Sequence, residues 1–207
     1  MRRVLALCTV VAGAVSFAGI AGARADSQAA AQSSRALIER GRQSVITHGC
    51  GDCHGGGANP AAKGWLAGAT DPALDFKVGP FTTHPRNLTP DNLTGLGRFS
   101  ERQIFNALRF GLRPGETPDV VITAITPGQG NFPQNPKYLA PPMPWPAWRH
   151  MPDGELWAIA AYLKRALKPV EHKVLDSEGP PDFWASAYTV DAIGPRPPAK
   201  YPTVNEK

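Results

Sequence analysis

Three stretches of the chain place apolar residues three and four positions apart, the spacing of a helix that buries one face. The first is 33–47, with a serine cap at position 33 or 34. The second is 101–110, where Ser100 opens an S-x-x-Q capping box and a glycine follows the last turn. The third, 153–168, starts after a proline, which suits a first helical turn. The pattern therefore predicts three helices.

The segments between these helices show neither helical nor strand periodicity. Residues 55–99 and 112–142 are predicted to be loops, and a run of this length without regular structure is unusual in a compact domain. Within the first helix, Gly41 is an interior glycine that costs roughly 1 kcal/mol relative to alanine. A close contact with another helix would explain it, and an inessential weakness would explain it equally.

The first 25 residues have the pattern of an export signal. Arg2 and Arg3 precede the apolar run 4–22, and an A-x-A site ends at residue 25. We expect cleavage before Asp26, a periplasmic location and no transmembrane segment in the mature chain. An uncleaved membrane anchor is the alternative, because the apolar run nearly reaches the length that spans a bilayer. A twin-arginine signal and a lipoprotein site at Cys8 fit the pattern less well.

Removal of the leader changes the charge balance. The full chain has 22 Lys and Arg residues against 17 Asp and Glu residues. Three of the arginines lie within residues 1–25, so the mature chain keeps 19 basic residues and a formal charge of only +2. A charge this small does not indicate a nucleic-acid partner, for which a strongly basic chain would be the main sign.

The two cysteines left in the mature chain form the motif Cys50-Gly51-Asp52-Cys53-His54. C-x-x-C-H is the attachment signature of c-type haem, in which two thiols bind the porphyrin and the adjoining histidine binds the iron. A zinc site would need further ligands, a thioredoxin-like pair would need a βαβ context, and a structural disulfide leaves the histidine unexplained. We therefore predict one covalently attached haem, which would also provide a core for the long loops.

The iron needs a sixth ligand, and thioether sulfur is a common one in electron-transfer haems. The mature chain has two methionines. Met143 lies in a proline-rich loop that is held out of helix, while Met151 stands where an apolar residue packs at a helix entrance. The histidines at positions 48, 84, 150 and 172 compete in principle. His48 is too near the motif to cross the haem, and the other three are interpreted as surface residues.

Three segments together resemble class I bacterial c-type cytochromes, most closely the domains in cytochrome subunits of membrane-bound alcohol, aldehyde and gluconate dehydrogenases. They occur in the family's order and span most of the chain from residue 41 to 163. They are GRQSVITHGCGDCH at 41–54, NLTPDNLTGLGRFSERQIFNAL at 87–108 and APPMPWPAWRHMPDGELWAIAAYL at 140–163.

The resemblance implies an all-α cytochrome c fold, with helices and long loops wrapped around one haem. It gives Cys50 and Cys53 the thioether bonds, His54 the proximal position on the iron and Met143 the distal one, because the family places its methionine 19 residues before a tyrosine as Met143 precedes Tyr162. Family subunits often carry several haem motifs and a membrane-attaching tail, whereas this chain has one motif.

The chain beyond the last helix is predicted to be an extended tail, because residues 169–207 contain seven prolines. Three aromatic residues are predicted to anchor this tail on the haem domain: Phe183, Trp184 and Tyr188. The expected organisation is therefore a signal peptide at 1–25, a monohaem domain at 26–168 and a Pro-rich tail at 169–207.

The function expected from these features is transfer of single electrons, from a dehydrogenase toward an oxidase or another cytochrome, without catalysis by the protein itself. A haem enzyme of the peroxidase or thiol-oxidising type is the alternative. Such an enzyme would need a labile sixth position and a distal polar group, for which His84 and Arg86 are the nearest candidates. An interaction or sensor module would rest on the tail alone.

Overall fold

The computed structural model of this protein describes residues 18–69, 74–194, 200 and 202–207. Most of the predicted leader, including Cys8, lies outside these residues. The chain divides after Arg35 into two units, and the features below belong to the unit that follows this residue unless stated. The elements are α1 (Ala18–Thr47), α2 (Cys50–His54), β1 (Phe76–Val78), β2 (Phe81–Thr83), α3 (Glu101–Phe110), α4 (Trp145–Trp148), α5 (Asp153–Arg165) and α6 (Val190–Ile193). The predicted all-α class is confirmed.

Helix α1 is longer than predicted. It ends at Thr47 as expected, but the predicted start at a serine cap is wrong, because the helix already begins at Ala18. Ser33 lies inside it, and its Oγ donates to the carbonyl of Ala30 at 2.9 Å. The alanines that precede this serine are strong helix formers, so the helix continues through the polar positions.

Helices α3 and α5 pack against each other and form the centre of the core. The capping box is present: the Ser100 hydroxyl accepts from the Gln103 amide at 3.1 Å, and the Gln103 side chain accepts from the Ser100 amide at 3.0 Å. Gly111 ends α3 in the left-handed conformation at φ 70°, and a side chain there would overlap the indole of Trp145. Helix α5 ends at Arg165, three residues before the predicted end.

Gly41 explains how α1 meets α5. A methyl group at this position would overlap the backbone carbonyl of Ala158 and lie 2.8 Å from the Cβ of Tyr162. Of the two interpretations left open above, close helix contact is therefore confirmed. A larger residue would force the two helices apart.

The long segment 55–99 is not entirely loop. Strands β1 and β2 form an antiparallel hairpin in which Phe76 pairs with Thr83 and Val78 with Phe81. Each strand has three residues, too few for an alternating pattern to be recognised in the sequence. The hairpin packs the Phe81 ring against Trp184, with ring centroids 5.0 Å apart.

A second apolar cluster joins the chain beyond residue 169 to the rest of this unit. Trp145 is fully buried there, and its ring meets that of Tyr188 at 4.9 Å between centroids. Trp184 and Tyr188 are both buried, whereas Phe183 is 46% exposed. Of the three aromatic residues predicted to anchor this segment, two thus pack into the core.

Within the part of the chain that the structure describes, none of the helices combines the length and the apolar character that crossing a membrane requires.

Candidate haem site

The C-x-x-C-H motif opens onto a cavity of about 850 Å³, within the range of roughly 300–1,000 Å³ typical of cofactor sites. Helices α2, α3 and α5, the loop after β2 and the segment around Met143 contribute to its wall. Most of the lining is apolar, with Leu96, Ile104, Leu108 and Leu163 from the core among the residues that face it. The volume and the mostly apolar lining of this space therefore suit a large apolar cofactor, which supports the interpretation of the long loops as a wall around it.

Both cysteines lie on the short helix α2 and line the cavity as free thiols. Cys50 is buried, and this burial raises the pKa of its thiol to about 12. Burial also raises the pKa of Cys53, with the nearby Asp52 charge adding to the effect. At neutral pH both sulfurs are protonated, so they are poor nucleophiles for disulfide exchange. A buried, uncharged sulfur suits a thioether bond.

The His54 ring is oriented by the backbone of a distant loop. Its Nδ1 donates a hydrogen bond to the carbonyl oxygen of Arg86 at 2.6 Å. Because a carbonyl only accepts, this bond places the proton on Nδ1 and leaves Nε2 as the nitrogen that can bind a metal. Burial lowers the pKa of the ring, opposed in part by the bond to Arg86, so the neutral form is favoured. Sequence reasoning missed this role, because any residue can supply a carbonyl.

Met143 lines the same cavity and is half-buried. It lies in a tight turn: its amide donates to Ala140 at 2.9 Å, and its carbonyl accepts from the Trp145 amide at 2.8 Å. Met151 also lines the cavity, but it is 9% exposed and belongs to the core at the entrance of α5. The structure thus brings both methionines to the wall, with Met151 buried in the core and Met143 half-buried against it.

The histidines outside the motif differ in their exposure. His84 is predicted to lie at the surface or to face a haem propionate, and the surface position is wrong: it is 7% exposed, lines the cavity and bonds Asp75 through Nδ1 at 2.6 Å. His150 is exposed as predicted, and His172 is half-buried with its Nδ1 bonded to a carbonyl. His48 lines the cavity, and its Nδ1 bonds the carbonyl of Ser44 at 2.8 Å.

Residues beyond the last core helix complete the cavity wall, which sequence reasoning also missed. Lys173, Val174 and Asp176 line it, and Val174 is buried. The segment has no hydrophobic period, so nothing in the sequence distinguishes it from an exposed tail. Its contribution depends on contacts with loops about 80 to 100 positions earlier.

A covalently attachable cysteine pair, a histidine with one free nitrogen and an apolar cavity define the class of site found in c-type cytochromes. Comparison with known proteins confirms the resemblance to cytochrome subunits of dehydrogenases, although no protein-family profile matches the chain.

Three relatives illustrate the similarity. The chain is 29% identical over 181 residues to the gluconate 2-dehydrogenase cytochrome c subunit of Pantoea cypripedii, a match that covers 87% of this chain and 32% of the relative. It is 26% identical over 141 residues to the fructose dehydrogenase cytochrome subunit of Gluconobacter japonicus, covering 68% of this chain and 24% of that subunit. It is 29% identical over 130 residues to a subunit of nicotinate dehydrogenase from Pseudomonas putida, covering 63% of this chain and 9% of that protein. The chain therefore matches a third or less of each relative.

Proposed function

We propose that this protein is a monohaem c-type cytochrome that carries single electrons in the periplasm, from a dehydrogenase toward the respiratory chain. The observation that carries the proposal is the placement of the C-x-x-C-H motif and Met143 on the wall of one apolar cavity of cofactor size. The similarity to dehydrogenase cytochrome subunits supports the same role.

The cysteines would hold the cofactor permanently. Cys50 and Cys53 would each hold one former vinyl group of the haem through a thioether bond, with the thiol proton passing to the neighbouring carbon. Both sulfurs already line the cavity in protonated form. Because α2 also carries His54 directly after Cys53, attachment through this helix would hold the haem beside that histidine.

His54 and Met143 would be the two side chains that hold the iron. His54 presents Nε2 because its Nδ1 proton is committed to the Arg86 carbonyl. Met143 presents a thioether from a turn that four neighbouring prolines restrict. A haem with this ligand pair supplies one-electron chemistry at a raised potential and has no open position for a substrate.

The surrounding apolar residues would limit the access of water to a bound haem. The apolar side chains of α3 and α5 form one part of the wall, and the segment 173–176 closes another. A low local dielectric constant favours the reduced, less charged state, which suits an acceptor of electrons from a dehydrogenase.

The proposed location and partners follow from the leader and the relatives. Cleavage before Asp26 would release a mature chain into the periplasm, with 26–168 as the haem domain and 169–207 as its extension. The relatives are named as cytochrome subunits of gluconate and fructose dehydrogenases. A dehydrogenase as donor and an oxidase or second cytochrome as acceptor fit that similarity.

The deciding experiment measures whether the sixth coordination position of the iron is occupied by a protein ligand. The full chain is expressed in a host that matures c-type cytochromes, reduced, and exposed to carbon monoxide near neutral pH. We expect poor binding by wild type and ready binding by Met143→Ala, which should also gain weak peroxidase activity. Fast binding by untreated wild type, together with peroxide turnover well above that of free haem, would overturn the carrier function and favour a haem enzyme.

A further inference from the structure

Residues 170–178, hereafter the strap, lie against two loops that hold His54. At one end, His172 donates through Nδ1 to the carbonyl of Ala67 at 2.7 Å. At the other, Thr82 and Glu178 exchange two backbone hydrogen bonds, at 2.8 and 2.9 Å. The strap therefore joins segment 67–69 to segment 82–89.

The start of the strap is fixed by a buried polar network. Asn87 is only 2% exposed, and its side-chain amide donates to the carbonyl of Val170 at 2.8 Å. The Val170 amide in turn donates to the hydroxyl of Thr89 at 3.1 Å. A buried amide that satisfies its hydrogen bonds with a distant segment fixes the position of that segment.

The middle of the strap binds the side chain of Arg86. One guanidinium nitrogen donates to the Leu175 carbonyl and another to the Ser177 hydroxyl, each at 2.8 Å. Asp176 adds an ion pair at 4.0 Å. The backbone carbonyl of this same arginine is the acceptor for the His54 ring.

The strap also contacts the residue that holds the His54 backbone. The Gly68 amide donates to the His54 carbonyl at 2.8 Å. Val174 packs so closely on Gly68 that a methyl group there would overlap its side chain, and the φ of 98° also excludes other residues. Both hydrogen bonds of His54, at the ring and at the backbone, thus come from residues that the strap touches.

We propose that the strap is a positioning element for the axial histidine, acting through the side chain of Arg86. This inference rests on the proposed function, since it assigns the strap a role only if His54 binds iron. The bond at Nδ1 sets the orientation of the imidazole and strengthens it as a donor, so an element that keeps this bond closed adjusts the electronic state of the metal. Arg86 is then a positioning residue rather than a ligand.

The test compares Arg86→Met with Arg98→Met in the haem-loaded full chain. Both arginines line the cavity, so both variants remove one positive charge from its wall. Arg98 lies over the Phe99 ring at 4.9 Å and makes no hydrogen bond or ion pair with the residues that the structure describes. Arg86→Met keeps the backbone carbonyl that accepts from His54, so only the link to the strap is lost.

Two quantities are measured in the reduced protein: hydrogen exchange of the His54 ring N–H by NMR, and the reduction potential. In Arg86→Met we expect about tenfold faster ring exchange than in Arg98→Met, as for the loss of charge-assisted hydrogen bonds that keep a local structure closed. Its potential should lie above that of Arg98→Met, because a weaker imidazole donor stabilises ferric iron less. Amide protons of α3 and α5 should exchange alike in both, which separates local opening from general destabilisation.

Equal ring exchange in the two variants, or a potential of Arg86→Met at or below that of Arg98→Met, would overturn the proposal. Where Arg86→Met does not fold, Ser177→Ala removes one acceptor of the same guanidinium and is expected to move both quantities in the same direction by a smaller factor. Failure of the proposed function is visible separately, because a purified wild type without covalent haem gives neither measurement.

Discussion

His54 and Met143 line one cavity, yet the structure holds them by different means. His54 is fixed by hydrogen bonds at its ring and its backbone, from residues that belong to distant parts of the chain. Among the described residues, Met143 makes its hydrogen bonds within a turn flanked by prolines, and its side chain packs, half-buried, against the core. Hydrogen bonds from other segments therefore fix the histidine, whereas those of the methionine lie within its own loop. Four variants test how the site is held, and their expected effects decrease in order.

Loss of both cysteines has the largest expected effect, because it removes the anchor that places the cofactor next to His54. We expect Cys50→Ala combined with Cys53→Ala to lose all haem in extraction with acid and organic solvent, while wild type keeps it. The single variant Cys53→Ala is the control and should retain haem through one bond. Haem that extracts freely from wild type would contradict covalent attachment.

Removal of the Met143 thioether tests the second ligand. Met143→Ala should abolish the near-infrared band of sulfur bound to ferric iron, since no other group in its turn can replace the sulfur. Met151→Ala is the matched control, because that methionine lines the same cavity but packs in the core. The reverse result, with the band lost only in Met151→Ala, would assign the ligand to the entrance of α5.

The buried side-chain amide of Asn87 holds the loop that carries Arg86, so its removal should lower the stability of the fold. Asn87→Ala leaves the Thr89 amide without its partner and the Val170 carbonyl with only the longer, 3.3 Å hydrogen bond from the Thr89 hydroxyl. We expect the free energy of unfolding to fall by about 3 kcal/mol, measured by urea titration. The exposed Asn135 provides the control, and Asn135→Ala should change stability by less than about 0.5 kcal/mol. A similar small change in Asn87→Ala would mean that the loops there are not held by this network.

A proline stabilises a protein mainly by restricting the unfolded chain, so removal of one proline beside Met143 should have the smallest effect. Pro142→Ala should lower the free energy of unfolding by no more than about 1 kcal/mol, because it releases only the conformational freedom of one residue. Pro202→Ala near the end of the chain is the control and should have no measurable effect. A loss as large as that of Asn87→Ala would show that the two ligands are held in the same way.

The helices were largely predictable from sequence because their signals are local. The capping box at Ser100 and the proline before α5 act within one turn, and both helices start where predicted. The start of α1 was missed because a serine can lie inside a helix as well as cap it, and only competition with the neighbouring alanines decides between them.

The ligand candidates were recognisable because C-x-x-C-H is itself chemically specific, and the structure brings Cys50, Cys53, His54 and Met143 to one cavity. Their roles on the iron remain predictions. The groups that orient them were not recognisable. A backbone carbonyl such as that of Arg86 has no sequence signal, and burial of His84 depends on its pairing with Asp75.

The strap also has a consequence for the order of folding. It joins residues that are 83 positions apart at Asn87 and Val170, and 105 apart at Ala67 and His172. Closing such long loops carries a large entropic cost, so contacts of this kind form late, after local helices have appeared. We expect the cavity to receive its cofactor while this part of the wall is still open, with docking of the strap as the final step. Pulse-labelled hydrogen exchange during refolding should show protection of the Val170 amide after that of the amides in α3, and simultaneous protection would contradict this order.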